Sequence, residues 1–169
     1  YRYSLYEQQL AKSILPKAGR YHQTIDKQTL ARSLKRFIPG DDQTINWQGI
    51  GAILAVLNVF TVISGGPGTG KTHTIGRILA LLIEQAKGAP FSIALAAPTG
   101  KAAARLTDMV RTIKKELDCP SEVKELIPEK TFTIHRLLKP IYGGKTFRYN
   151  ESNRLPFHVV VVDEASMVD

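Results

Sequence analysis

The sequence feature that most constrains this chain is a glycine-rich run that ends in lysine and threonine. Residues 65–72 read Gly-Gly-Pro-Gly-Thr-Gly-Lys-Thr and satisfy the spacing G-x-x-x-x-G-K-[ST]. The run follows an apolar stretch, 60–64, that predicts a strand, and it opens a pattern over about 71–87 that predicts a helix. A strand, a glycine turn and a helix in this order bring backbone N–H groups and the positive end of a helix dipole to one point, which favours a phosphate group.

Each residue type in this loop has its own predicted role. Glycines let the backbone wrap closely around phosphates. Lys71 is predicted to reach the β and γ phosphates, and the Thr72 hydroxyl is predicted to ligate Mg²⁺. The loop residues predicted to contact the nucleotide are Gly66, Pro67, Gly68, Thr69, Gly70, Lys71 and Thr72. We therefore expect the chain to bind a nucleoside triphosphate, ATP, together with Mg²⁺.

A second stretch places two carboxylates, Asp163 and Glu164, directly after four valines. A strand that is apolar on both faces delivers such residues at its carboxyl end, where open α/β sheets bind ligands. Asp163 is predicted to hold Mg²⁺, and Glu164 is predicted to orient and deprotonate a water molecule. With Lys71 they form the predicted catalytic set, which indicates hydrolysis. Taken alone, a strand that ends in an acidic turn is the alternative interpretation.

Two polar segments outside these motifs admit two interpretations each. Gln48 lies in a predicted helix, where its amide either reads an adenine edge or simply faces solvent. Pro98, Thr99 and Lys101 follow the predicted strand 92–97 and form either a second phosphate site or an ordinary helix cap. The residues alone leave both pairs of alternatives open.

A third segment, around Thr133, reads first as the start of a short helix. The Thr133 hydroxyl is predicted to cap that helix, while His135 and Arg136 either face solvent or contact a backbone phosphate. The formal net charge of the chain, +8, favours a polyanionic partner. Basic residues over 27–36 are better explained as a solvated helix face.

The order of elements predicts an α/β fold with a parallel sheet covered by helices on both faces. Predicted strands are 60–64, 92–97 and 158–162, and predicted helices are 46–57, about 71–87 and about 101–117. Residues 1–43 predict a separate small segment of two amphipathic helices, and residues 44–169 the main domain. Gly143 and Gly144, followed by the alternation of Phe147 and Tyr149, predict a small hairpin insertion.

Composition excludes several classes of protein. No apolar run reaches the roughly 18 residues of a membrane-spanning helix, and the start lacks a secretory signal. The single cysteine, Cys119, cannot form an internal disulfide, which suits a reducing compartment. We expect a soluble, cytoplasmic protein with no membrane partner.

These motifs, in this order, resemble the RecD family of superfamily I DNA helicases, the alpha subunit of exodeoxyribonuclease V. The resembling segments are S-G-G-P-G-T-G-K-T, A-A-P-T-G-K-A-A-A-R-L, T-I-H-R-L-L and V-V-D-E-A-S-M-V-D, with N-W-Q at 46–48. The resemblance implies a P-loop, RecA-like fold and ATP-driven movement along single-stranded DNA in DNA end processing, recombination and repair. It also implies RecB and RecC as partners.

The same resemblance assigns roles to the ambiguous segments. Gln48 would read adenine, and residues 98–101 would contact the single-stranded DNA backbone. Thr133, His135 and Arg136 would lie beside that track.

The sequence starts without methionine and stops at Asp169, so we expect a fragment of a longer protein, truncated in its first motor domain. Without a second motor domain and its arginine finger, this piece is expected to be weakly active or inactive. Two alternatives stay open. One is an AAA-type remodelling ATPase, and the other is a non-catalytic nucleotide-binding scaffold, against which the intact Glu164 argues.

Overall fold

A computed structural model describes residues 2–40, 45–66, 68–141 and 146–168, and it describes only the backbone at positions 2 and 72. The chain divides into two compact units, Tyr1–Gln85 and Ala86–Asp169. The domain boundary predicted at residues 43 and 44 lies outside the described residues and stays a prediction. In the described part of the chain, no helix is both long and apolar enough to cross a membrane.

The first unit is helical. Its helices are α1 (Arg2–Ile14), α2 (Lys27–Phe37), α3 (Trp47–Leu57) and α4 (Lys71–Gln85). The two short helices predicted before residue 40 are therefore confirmed, as are the helices predicted over 46–57 and 71–87. Helix α1 leaves most of its apolar side chains exposed, with Leu5 at 53% and Leu10 at 60% of full exposure.

Helix α2 is fixed at its start by Asp26, whose carboxylate accepts from the backbone N–H groups of Gln28 and Thr29. It packs on α4, where Ser33 and Arg36 both contact the carboxylate of Glu84. These contacts hold the far end of α4 in place.

Asn46 caps the start of helix α3, because its side-chain oxygen accepts from the Gly49 N–H at 2.8 Å. It packs on α4 and buries Ala52 and Val56 completely. Burial of this face against α4 brings the first turn of α3, with Gln48, close to the residues that precede α4.

The prediction of a strand over residues 60–64 is wrong. These residues form no strand in the described structure, and Val62 is 74% exposed. A strand needs the hydrogen bonds of a neighbouring strand as well as apolar side chains. Besides the hydrogen bond from Asn58 N–H to Leu54 O at the end of α3, the described backbone hydrogen bonds nearby join Val59 to Arg20 and His22 to Leu57. Tyr21 and Asn58 form an isolated bridge.

The second unit contains a parallel sheet of three strands within the described residues. Strand β1 (Ile93–Ala97) is central and wholly buried, and it pairs in parallel with β2 (Thr131–Thr133) and β3 (Val159–Val162). The parallel sheet and the strands predicted at 92–97 and 158–162 are confirmed. Strand β2 was not predicted, because its three half-buried residues give no periodic signal.

Helices cover both faces of β1. Helix α5 (Gly100–Glu116) packs on β1 and β2, and its Ala102 and Ala103 cluster with Ala97. Short α7 (Ile134–Leu138) buries Leu137 against Ala94 and Ala96. Because alternate residues of a strand point to opposite faces, the two helices lie on opposite sides, as predicted.

Two further elements of the second unit are described. Helix α6 (Ser121–Leu126) follows α5, and a 3₁₀ helix (Ala165–Met167) follows β3. Near α6, the Lys114 ammonium donates to Glu129 at 2.8 Å and holds the pKa of that carboxyl below its ordinary value.

The predicted hairpin insertion is partly tested. Gly143 and Gly144 lie outside the described residues. On either side of them, Pro140 and Phe147 form an antiparallel bridge, and Ile141 N–H donates to Thr146 O at 3.1 Å. The described flanks therefore have the pairing of a hairpin.

Candidate nucleotide-binding site

The glycine-rich loop is shaped by two residues with left-handed backbone. Gly68 has a φ of +74° and Gly70 a φ of +77°, which glycine adopts with little steric cost. Thr69 Oγ1 donates to Gly66 O at 2.9 Å, and Lys71 Nζ donates to Gly65 O. Pro67 lies outside the described residues. These contacts fold the loop back on itself directly before α4.

This geometry suits a phosphate group. The loop ends at the amino terminus of α4, a helix of 15 residues, where backbone N–H groups and the helix dipole favour an anion. Lys71 is exposed, and its ammonium lies beside the loop carbonyl. The side chain of Thr72 is not described, so its predicted bond to Mg²⁺ stays a prediction.

Gln48 lies directly against this loop. Its Nε2 donates to Thr69 O at 3.4 Å, and its Oε1 accepts from Arg77 NH1 at 2.8 Å. A Cβ atom added to Gly70 would lie 2.7 Å from Gln48 Nε2. Gln48 is therefore half-buried between the loop and α4, and it is not the simple surface glutamine of the alternative interpretation.

An open cavity of about 610 Å³ joins these groups within the first unit. Gln48, Gly65, Thr69 and Lys71 all line it, together with Trp47, whose side chain is 72% exposed. One cavity thus has polar amide groups at one part of its wall and the glycine-rich loop at another. The cavity therefore offers amide groups and the glycine-rich loop on a single wall, where a nucleotide base and its phosphates could both make contacts.

The acidic pair stands at the carboxyl end of β3, as predicted. Asp163 N–H donates to Ala96 O at 2.9 Å and extends the pairing with β1 by one residue. Glu164 has a φ of +51°, and its N–H donates to Asp163 Oδ1 at 3.0 Å. Glu164 Oε1 is 3.7 Å from Arg105 NH1, an ion pair that is largely open to solvent.

The segments predicted to contact DNA lie at the same edge of the sheet. Thr99 caps α5 by accepting from Ala102 N–H at 3.2 Å, and Thr133 caps α7 by accepting from Arg136 N–H at 3.2 Å. The capping interpretations are thus what the structure shows. Because the three strands are parallel, their carboxyl ends bring Thr99, Thr133 and Asp163 to one edge.

The other predicted DNA contacts flank these two caps. Pro98 and Lys101 adjoin Thr99, and the Lys101 side chain is exposed. His135 and Arg136 follow Thr133, and the His135 ring packs edge-on against Phe147 at 5.4 Å between centroids. The role of these residues in binding DNA stays a prediction.

One residue in the site was missed by sequence reasoning. Arg77 lies on α4 and contacts Gln48 on α3, 29 positions earlier in the chain. No local pattern predicts a contact between two helices, so only the fold could identify it.

Comparison with known proteins assigns the family. Residues 49–169 match the family described as AAA domain. The chain belongs to this AAA domain family. A nucleotide-binding function follows from the family, and it agrees with the loop and cavity of the first unit.

The chain is also similar to several RecD proteins, which confirms the resemblance seen in the motifs. It is 49% identical to "RecBCD enzyme subunit RecD" of Mycobacterium tuberculosis over 141 residues, which is 80% of this chain and 23% of the relative. The chain is 35% identical to the subunit of the same name from Haemophilus influenzae over 142 residues, which is 82% of this chain and 22% of the relative. It is 36% identical to "ATP-dependent RecD2 DNA helicase" of Deinococcus radiodurans over 107 residues, which is 63% of this chain and 12% of the relative. The chain spans less than a quarter of the length of each of these relatives.

Proposed function

We propose that this chain binds ATP with Mg²⁺ and forms part of the first motor domain of a DNA helicase. The observation that carries the nucleotide proposal is the cavity shared by Gln48 and the glycine loop ahead of Lys71. The phosphates bind the loop N–H groups and Lys71, and the Gln48 amide contacts the adenine edge.

The chemical roles of the second unit rest on the sequence pattern and on the relatives. In the proposal, Asp163 is a ligand of Mg²⁺, which neutralises charge on the phosphates when it is bound. Glu164 accepts a proton from the attacking water. The Glu164 side chain is 38% exposed, which leaves it accessible to a water molecule.

The proposed polymer is single-stranded DNA. Its phosphates contact residues 98–101 at the start of α5, and Thr133, His135 and Arg136 lie beside that track. The proposal is supported by the position of both segments at one sheet edge and by the net charge of +8. The names of the relatives support RecB and RecC as partners of the full-length protein. The cytoplasmic location stays a prediction.

The test is ATP hydrolysis by the full-length protein with and without single-stranded DNA, followed by unwinding of a duplex with a single-stranded end. Stimulation by DNA together with unwinding is expected. An ATPase that is unaffected by DNA but stimulated by a protein substrate would instead support the AAA-type remodelling alternative, and an absence of hydrolysis with intact ATP binding would support the scaffold.

A further inference from the structure

We infer that Arg77 is a positioning residue that fixes the orientation of the Gln48 side-chain amide and thereby gives the site its preference for adenine over guanine. The inference rests on the proposed nucleotide function and adds to it a residue that determines specificity. It is carried by two hydrogen bonds of opposite polarity and by the close approach of the glycine loop.

The two ends of the Gln48 amide face groups that cannot exchange roles. A guanidinium only donates hydrogen bonds, so the amide atom 2.8 Å from Arg77 NH1 is the oxygen. A backbone carbonyl only accepts, so the atom 3.4 Å from Thr69 O is the nitrogen. Because the assignments from the two sides agree, the orientation of the amide is determined by its surroundings.

The stronger of these two contacts is the one with Arg77. At 2.8 Å it has the length of a good hydrogen bond, involves a charged donor and is partly buried. The contact with Thr69 is long at 3.4 Å and is exposed. Without Arg77, the amide would keep only the weaker partner, and rotation by half a turn would cost little.

The glycine loop also limits the position of the Gln48 amide. Gly70 approaches so closely that a Cβ atom there would lie 2.7 Å from Gln48 Nε2. The amide therefore has little room to move closer to the loop. Arg77 fixes the rotation of the amide, and Gly70 limits its distance from the loop.

An amide held in this way offers a fixed order of donor and acceptor. The Gln48 oxygen has a second lone pair, and the nitrogen a second hydrogen, that are not used by other described residues. An adenine edge presents the N6 amino donor beside the N7 acceptor, which matches one acceptor and one donor. A guanine edge presents two acceptors, O6 and N7, and leaves the fixed carbonyl oxygen facing an acceptor.

The experiment measures the affinity of the full-length protein for ATP and for GTP by calorimetric titration with Mg²⁺. The variants are Arg77→Met, which keeps the aliphatic stem and removes the donors, Arg77→Lys, which retains a donor, and Gln48→Ala. The matched control is Arg32→Met, an exposed arginine of the same unit. Circular dichroism checks that each variant is folded.

We expect Arg77→Met to reduce the ratio of ATP to GTP affinity about tenfold, within the range that a bidentate contact to a base edge contributes. Arg77→Lys should restore part of that ratio, Arg32→Met should leave it unchanged, and Arg77→Met should have no further effect on it in the Gln48→Ala background. An unchanged ratio in folded Arg77→Met, or an equal loss for both nucleotides, would overturn the inference.

A second measurement uses the unaltered protein and therefore does not depend on whether a variant folds. In the unaltered protein, 7-deaza-ATP lacks the N7 acceptor and should bind several-fold more weakly than ATP. Equal binding would overturn the inference, as would equal affinity for ATP and GTP, while both results leave phosphate binding by the loop intact. If no nucleotide binds at all, the proposed function itself fails.

Discussion

The two units hold their candidate site residues in different ways. In the first unit, side chains contact one another: Lys71 and Thr69 bond loop carbonyls, and Gln48 bridges the loop to Arg77. In the second unit, the backbone ladder of the sheet places Asp163, and the only described side-chain partner of Glu164 is 3.7 Å away. Substitutions in the first unit should therefore change how the site residues are arranged. Substitutions in the second unit should remove a reactive group and leave the arrangement of the other residues unchanged.

The largest effect is expected from Glu164→Gln in the full-length protein. The substitution keeps shape and removes the proposed base, so ATP hydrolysis should fall by roughly 10² to 10⁴, while ATP affinity stays within about twofold. Turnover and equilibrium binding are measured separately. Glu151→Gln, an exposed glutamate of the same unit, is the control and should change neither. Unchanged hydrolysis in Glu164→Gln would remove the base assignment.

A smaller but still large effect is expected from Gly70→Ala. The left-handed backbone costs an alanine about 1–2 kcal/mol, and its Cβ would meet Gln48 at 2.7 Å. ATP affinity should fall at least tenfold.

Gly88→Ala separates these two causes. Gly88 has a φ of +80° with no atom within 4 Å of an added Cβ, so the substitution carries the backbone cost alone. Both variants should lose thermal stability through the backbone cost, and only Gly70→Ala should lose ATP binding. Equal ATP affinity in both would show that the contact between Gln48 and the loop does not contribute to the site.

An intermediate effect is expected from Lys101→Ala in the second unit. Removing one phosphate contact should lower DNA-stimulated hydrolysis several-fold and leave basal hydrolysis unchanged. The slope of log affinity for single-stranded DNA against log salt should decrease by about 0.7. Lys115→Ala, on the same helix, should behave like the unaltered protein. Equal losses of basal and stimulated hydrolysis in Lys101→Ala would indicate a structural role.

The smallest effect is expected from Arg105→Ala. Its ion pair with Glu164 joins side chains that are 69% and 38% exposed, and such pairs contribute about 0–1 kcal/mol. Thermal unfolding should shift by no more than a few degrees, and ATP hydrolysis should stay within about threefold. A tenfold change in turnover would mean that the second unit also depends on a side-chain network.

Much of the fold could be predicted from local patterns. The glycine run and the apolar spacing after Lys71 predict helix α4. The compact apolar runs of β1 and β3 predict these two strands. Residues 60–64 show the limit of that reasoning, since their apolar character is real but no described strand pairs with them. Strand β2 was missed because its partner, and not its own sequence, defines it.

The same distinction between local patterns and tertiary contacts applies to the site residues. Residue types that act through spacing, such as the loop glycines and the acidic pair, could be identified from the sequence. The contact between Arg77 and Gln48 could not, because it depends on how α3 packs on α4. For Thr99 and Thr133, the capping interpretation was correct about structure, while their contribution to DNA binding stays a prediction.

The most direct test of the central claim is the affinity of the full-length protein for Mg²⁺-ATP before and after Lys71→Ala, with Lys115→Ala as the matched control. If the loop ahead of α4 binds the phosphates, Lys71→Ala should weaken ATP binding at least tenfold and Lys115→Ala should not change it. Equal ATP affinity in all three proteins would contradict the account.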